Sequence, residues 1–570
     1  MVSGPGPAEP AVQPGADGRG RPHIVVVGGG LAGISAALAC ADAGARVTLL
    51  EKRARLGGLT WSFMHDGLQI DNGQHVFLRC CTAYLDFLGR IGSAGDVELQ
   101  ERLDVTVLRP RAPRYNASGP GASSGPGASS GPGASSGPGA SSGPGGPGAG
   151  ADQARLTRDR VRAPLHLARS LLRYRLISVA DRARFGPAAL ALARLDLDEP
   201  SLDEQTFEEW LRAHGQSPAA ISALWDLICL PTVNLPAHEA SLAMAAKVFQ
   251  TGLLTESSAG DIGWSRVPLG ALHGERGAAA LGKAGVEAHL ADAVTAVRPG
   301  PDGPGSGTGA SRFVVCTSRG ELAADGVVVA LPHYRTEDVL PPGALPEHVR
   351  PSELASSPIV NVHVHFDRRV TDLHLAAALG SPAQWIFDRT GSSGAARGQY
   401  LAVSISAADD YIGTRPDDLG RQMVEALAAL FPAAREAKVL RTFVTREHNA
   451  TFRASPRTSG HRAPARTLLP GLAVAGAWTA TGWPPTMEGA VRSGLAAART
   501  VLAATGQRTS LPRAHSSSTL PNTQWPNTQW PNTHLPNSHF PNHQLPNNQL
   551  PSAPLAGGHL PQPGQLQEVM

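Results

Sequence analysis

Hydrophobic positions along the chain follow two rhythms. HIVVV, 23–27, is a short apolar run ended by glycines, the pattern of a buried parallel strand. LAGISAALACADAG then places small and apolar residues at helical spacing and stops at Gly44. RVTLLE, 46–51, predicts a second strand, so the order is strand, glycine turn, helix, strand, a βαβ unit. From about 155 to 254 the pattern is mainly helical. Strand patterns return from about 286 to 332 (VEAHLADAVTAV, RFVVCTS, GVVVALP) and again at 359–366 and 400–406. GLAVAGAWTATGWPPTMEGAVRSGLAAARTVL closes the patterned region with a strand, a glycine-rich loop and a helix. Strand character at both ends and in the centre predicts one domain assembled from separated segments, with another inserted between them.

Composition shortens the foldable length. Of 570 residues, 64 are glycine and 48 proline, and many lie in three tracts that read as disordered. These are the N-terminal 1–21, the GPGASS repeats of 118–150 and a tail over 510–570 with pentads such as PNTQW and PNSHF. A proline in every pentad excludes helix and central strand. Lysine plus arginine number 50 against 47 acidic residues, which gives no global case for nucleic acid. The five cysteines, Cys40, Cys80, Cys81, Cys229 and Cys316, form no C-x-x-C pair, arguing against a disulfide framework or a zinc site and for a reducing cytoplasm. No run of about eighteen apolar residues suggests a transmembrane helix, and the N-terminus lacks the apolar stretch of a signal peptide. A cytoplasmic protein is expected, with membrane-surface contact left open.

Gly28-x-Gly30-x-x-Gly33 follows a strand and opens a helix. The first glycine permits a tight turn, the second lets backbone approach a pyrophosphate, and the third allows close helix–strand packing. Leu31 and Ala32 lie in the helix start, whose amide N–H groups and partial positive charge suit phosphate. Glu51, followed by Lys52, ends the next strand, where an acid bonds a ribose hydroxyl. GPDGPGSGTGA near Gly300 connects two strands without opening a helix, so it reads as a hairpin loop. His363 and His365 share one face of a strand, but no Cys or carboxylate cluster completes a metal site there.

EKRARLGGLTWSF places Arg55 and the pair Gly57-Gly58 just after the ribose acid. This resembles the E-x-x-x-x-x-G-G signature of the flavin amine oxidase and phytoene desaturase superfamily, which implies FAD. Further on, LQIDNGQHVFL, LWDLICLPTVNLPAHEAS, VPLGAL and TGWPPTMEGAVRSG look like one subfamily. That subfamily is the squalene-associated FAD-dependent desaturases, also called hydroxysqualene dehydroxylases. The similarity spans residues 22 to about 504 except the GPGASS insertion. It implies that Arg55, Gly57 and Gly58 sit against the FAD phosphates, that Val294 meets adenine through its backbone, and that Gly476, Met487, Glu488 and Gly489 lie on the flavin side. Two positions depart from the family pattern. Leu59 stands where many relatives have arginine, and Ala477 stands where they have an aspartate that contacts the ribityl–phosphate region.

The resemblance implies removal of the hydroxyl of hydroxysqualene by reduced FAD, giving squalene. Hydroxide leaves poorly, so a proton donor is expected. His75, in Asp71-Asn72-Gly73-Gln74-His75, is the first choice because imidazole titrates near neutrality; Asp71 orients it or acts itself, and Glu488 is a third candidate. A carotenoid-type desaturase and a flavin- and lipid-binding protein without turnover are the alternatives. No second dinucleotide fingerprint identifies an electron donor. A C30 isoprenoid partitions into membrane, and the arginine- and leucine-rich stretch 155–185 has the composition of a basic amphipathic surface element.

The architecture expected is α/β: a Rossmann-like FAD-binding domain of the amine oxidase type with an inserted α+β substrate domain. The FAD domain is assigned 22–92, 264–332 and 466–504, and the substrate domain 151–263 and 333–465.

Overall fold

The structure, a computed structural model, describes residues 21–111, 151–300 and 312–507. All of them lie in one compact unit, 1–514; the second unit, 515–570, falls outside the described residues. The tracts read as disordered, and the glycine-rich loop after Gly300, likewise lie outside them.

The first strand, β1 (His23–Val27), is buried along its whole length, and Gly28 ends it with a φ of +104°. Helix α1 (Leu31–Asp42) follows, then strand β2 (Arg46–Glu51). Both strands enter a five-stranded sheet in which every pairing is parallel. Its order is Glu287–Leu290, β2, β1, Gly326–Val329, Leu472–Val474, so strands from three distant parts of the chain stand side by side. Continuous apolar runs are what such a sheet requires, because helices cover its faces. The closing helix, Met487–Ala504, packs on α1 so closely that a Cβ at Gly494 would stand 2.1 Å from the Ala32 carbonyl oxygen. Glycine there is a packing requirement.

A second, mixed sheet of seven strands runs in the order Val439–Phe452, Ser356–Phe366, Gln399–Ile405, Trp385–Asp388, Leu375–Ala378, Asp104–Pro110, Ala151–Thr157. The last two form an antiparallel pair in unbroken register from Asp104↔Thr157 to Pro110↔Ala151. Helices between 168 and 254 pack beside it, with Trp225, Phe207 and Phe249 among the largest fully buried side chains. A three-stranded sheet, Val76–Leu78, Ile262–Ser265 and Val97–Leu99, completes the strand framework around the site.

The structure details two stretches. The basic stretch 155–185 ends a strand at Thr157, makes a short turn at Leu165–Leu167, and then forms two helices, Ala168–Arg173 and Val179–Leu192. Pro164 ahead of the turn and Ser178, whose hydroxyl accepts the Asp181 N–H, break the helical run. The boundary drawn at 264 also falls inside the strand Ile262–Ser265, because Gly263 and Trp264 pair with both neighbours of that small sheet.

Candidate active site

The glycine turn is built as a cradle. A Cβ on Gly33 would lie 1.8 Å from the Gly28 carbonyl oxygen, and one on Gly28 would lie 2.4 Å from the Ala330 carbonyl oxygen. Gly30 caps α1 with no side chain of its own, and no side chain caps the helix, so Leu31, Ala32 and Gly33 present the first turn to whatever fills the cradle. Gly58 faces Gly30 across it: a Cβ on Gly58 would come within 2.9 Å of the Gly30 Cα. Gly57 and Gly58 both have positive φ, +101° and +59°.

Glu51 is buried at the end of β2, where its carboxylate accepts the N–H groups of Gly29 (2.7 Å) and Arg53 (2.8 Å). Arg55 donates to the Gly58 carbonyl at 3.2 Å and lies 4.1 Å from the Trp61 ring centre. Burial pulls its guanidinium down to about 10, still charged at neutral pH. Lys52 is exposed beside it, and Leu59 is exposed as well. Val294 starts the strand Val294–Pro299, next to a register shift. Gly476, with φ +143°, donates its N–H to Ser493 Oγ of the closing helix (2.8 Å). Met487, Glu488 and Gly489 open that helix, with Thr486 accepting the Gly489 N–H at 3.2 Å. A close backbone cradle, an uncapped helix start and an acid at the neighbouring strand end fit a dinucleotide pyrophosphate and its ribose.

The loop 71–75 is locked from three sides. Asp71 Oδ1 accepts from Ser62 Oγ (2.7 Å) and the Leu269 N–H (2.9 Å), and Oδ2 pairs with Arg389 at 2.9 Å in a nearly dry setting. Asn72 donates to Glu447 (2.7 Å) and to the Leu59 carbonyl, while Thr445 and Asn361 donate to the Asn72 carbonyl. His75 Nδ1 lies 3.3 Å from the Gly73 carbonyl, not on Asp71, and burial shifts the ring towards its neutral form. Glu488 accepts the N–H groups of Ala83 (3.1 Å) and Tyr84 (2.7 Å) at the start of helix α2 (Thr82–Ile91) and pairs with Arg492 at 2.6 Å. Burial nevertheless raises its pKa. Asp71 and Glu488 are thus both fully engaged.

A large apolar cavity of about 260 Å³ opens beside this loop. Phe77, Leu78, Val105, Ile228, Trp385 and Phe387 are among its walls, and one end reaches Gln74, Trp483 and Met487. Of two polar lining residues, Gln74 was read only as part of the cluster 71–75 and Lys247 went unsuspected. Gln74 Nε2 is buried without a hydrogen-bond partner. Lys247 belongs to the helix Leu242–Phe249, and its ammonium lies 5.5 Å from the Trp483 ring centre. Its signal was there to read: a lone lysine inside the apolar run LAMAAKVF. Arg389 carried no signal, being 318 residues from Asp71.

His363 is buried between rings. It stacks on Phe443 at 4.3 Å, with Nδ1 2.5 Å from Tyr400 Oη and Nε2 3.1 Å from Thr445 Oγ1. His365 Nε2 meets the Arg397 carbonyl. Among the described residues no cluster of His, Cys, Asp or Glu suits a metal, and no helix is long and apolar enough to cross a membrane.

Comparison with known proteins supplies the family. The model for flavin containing amine oxidoreductases matches residues 31–502. The hydroxysqualene dehydroxylase of Zymomonas mobilis is 24% identical over 481 residues, covering 83% of this chain and 97% of that protein. The chloroplastic/chromoplastic zeta-carotene desaturase of Zea mays is 22% identical, covering 83% of this chain and 82% of that protein. Among solved structures, cyclohexylamine oxidase from Brevibacterium oxydans aligns with a TM-score of 0.58 at 16% identity, over 85% of this chain and 99% of that one, and so speaks for the fold. The uncapped glycine cradle, the parallel sheet and the matched family model agree, and the chain belongs to the flavin-containing amine oxidoreductases as an FAD-dependent oxidoreductase of α/β fold.

Proposed function

We propose that the protein removes the hydroxyl group of hydroxysqualene by reduction, yielding squalene for triterpenoid (hopanoid) synthesis. The observation that carries the reading is the apolar cavity, lined also by Gln74 of the 71–75 loop and by Met487 and Glu488 at the start of the closing helix. A C30 hydrocarbon needs such walls, and dehydroxylase relatives matched along most of their length support the choice. FAD, when bound, supplies the hydride. Gly28, Gly30, Gly33, Glu51, Arg55, Gly57, Gly58 and Gly476 would hold it, while Leu31, Ala32, Lys52, Val294, Met487 and Gly489 line its path. The protein's own part is to exclude water, align the allylic carbon and deliver a proton to the departing oxygen.

Within this reading His75 serves as a neutral polar contact, since burial disfavours its protonated form. Asp71, ion-paired with Arg389, and Glu488, tied to α2, hold the frame.

Desaturation of a polyene by oxidised FAD is the second reading, favoured by the zeta-carotene desaturases. Binding of flavin and lipid without turnover is a third. Anaerobic incubation with hydroxysqualene and chemically reduced FAD separates all three by mass spectrometry. Squalene is the expected product. Its absence, with dehydrogenated polyene formed aerobically instead, favours the desaturase, and no product from either substrate favours the carrier.

Membrane-surface contact belongs to the same proposal. Val161, Leu165, Leu172 and Val179 are exposed, 48%, 67%, 72% and 72%, among the arginines of 155–185. Leu167, in the same stretch, lines the cavity. Apolar side chains ringed by arginine suit an anionic bilayer, from which the substrate would enter. Presenting substrate in anionic vesicles tests this by co-sedimentation, and protein left wholly in the supernatant counts against it.

A further inference from the structure

Breaking the C–O bond of an alcohol releases hydroxide unless a proton arrives, and the three donors suggested by the sequence, Asp71, Glu488 and His75, are poorly placed to give one. Asp71 shares its two oxygens among Ser62, the Leu269 N–H and the Arg389 guanidinium, so both are taken up by donors of the protein itself. Glu488 accepts two backbone N–H groups and pairs with Arg492. His75 is held towards its neutral form, and Nδ1 already faces a carbonyl. Arg492 is committed to Glu488 and to Thr82 Oγ1.

The cavity wall carries one further cation. Lys247 projects from the helix Leu242–Phe249, whose Ala245, Ala246, Val248 and Phe249 are buried, and only 9% of Lys247 is exposed. Its ammonium and the Arg492 guanidinium lie 5.5 Å and 4.9 Å from the same Trp483 ring centre. Trp483, Pro484, Thr486 and Met487 line the cavity with it, so the lysine stands at the end where the closing helix begins. Resting on the dehydroxylase reading, we propose that Lys247 protonates the departing hydroxyl of the substrate.

The step balances. The C–O bond breaks with its electron pair on oxygen, the Nζ proton moves to that oxygen, and water leaves. The carbon receives the hydride that reduced FAD supplies, and the neutral amine regains a proton from solvent. The charged and titratable groups around Lys247 suit this role. Burial, with Arg492 beside it, lowers the ammonium pKa, while Cys80 and Asp198 oppose that shift. A lysine so disposed is a stronger acid than one in water.

The test uses the full-length, FAD-loaded protein with Lys247→Met and Lys247→Arg. Each is assayed on hydroxysqualene and on its acetate ester, whose acetate leaves without needing a proton. Lys247→Met is expected to lower kcat on the alcohol roughly 100-fold or more, the usual contribution of a general acid, while turning over the ester within about threefold of wild type on the same scale. Dissociation constants for the alcohol, read from tryptophan quenching, should change little. Lys247→Arg keeps the charge but not a transferable proton, so it should behave like Lys247→Met. Wild-type kcat on the alcohol should fall as alkaline pH removes the proton, and Lys247→Met should lose that limb. Near wild-type turnover of the alcohol by Lys247→Met, or equal loss on both substrates, overturns the role of Lys247 alone. Wild-type protein that reduces neither substrate overturns the dehydroxylase reading and the lysine's role together.

Discussion

At the scale of single residues, the glycines and the cavity groups teach opposite lessons about what a sequence reveals. Gly28 and Gly33 announce themselves because backbone geometry permits nothing else: Gly28 has a φ of +104°, and a methyl on Gly33 would overlap the Gly28 carbonyl oxygen at 1.8 Å. Gly33→Ala should therefore purify without bound flavin while remaining folded. Loss of the flavin absorbance with an unchanged circular dichroism spectrum is the expected pair of results, and full flavin occupancy would refute the cradle. Gln74 and Lys247 gave fainter signals, a place in a polar cluster and a lone lysine in an apolar run, since an amide or an amine acquires meaning only from what surrounds it. The cavity around them is assembled from segments as far apart as Gln74 and Met487. Likewise the sequence marked Asp71 and Glu488 as acids, but their partners, Arg389 and the N–H groups of Ala83 and Tyr84, decide what they do.

At the scale of elements, the legible parts were those with local periodicity: β1, α1, β2 and the closing helix. The seven-stranded sheet was less so, because the pairing of Leu375–Ala378 with Asp104–Pro110 depends on contacts no local pattern encodes. Its docking against the 71–75 loop rests on buried polar ties, among them the ion pair Asp71–Arg389, with side chains 7% and 9% exposed. Removing one partner leaves a buried charge uncompensated, at a cost of about 3–5 kcal/mol. Arg389→Met should lower the urea midpoint accordingly, whereas Asp71→Asn combined with Arg389→Met should recover much of the loss. A single variant as stable as wild type would show the pair to be dispensable. In the stretch 155–185 the basic, apolar composition was visible, but the turn at Leu165–Leu167 was not.

At the scale of the whole molecule, burial of imidazoles sets the response to acid. Burial holds His273 and His363 down to about 3. Their unfolded rings take up protons below about 6.5, and the folded ones resist until about pH 3, so unfolding absorbs protons in that window. Stability therefore falls as pH drops from about 6.5 towards 3, by about 1.4 kcal/mol per pH unit for each ring. Urea midpoints at pH 7.5 and 5.5 should differ, and His363→Gln should shrink the difference. Equal slopes with and without His363 would exclude its part.

The antiparallel pair Asp104–Pro110 and Ala151–Thr157 bears on how the chain tolerates its GPGASS repeats. Pro110 and Ala151 are direct partners across the sheet, so the chain leaves and re-enters at neighbouring points. Closure entropy grows only with the logarithm of the number of residues closed, about 0.6 kcal/mol per doubling. With Pro110 and Ala151 held by the sheet's own pairing, adding or removing one repeat should shift the urea midpoint little.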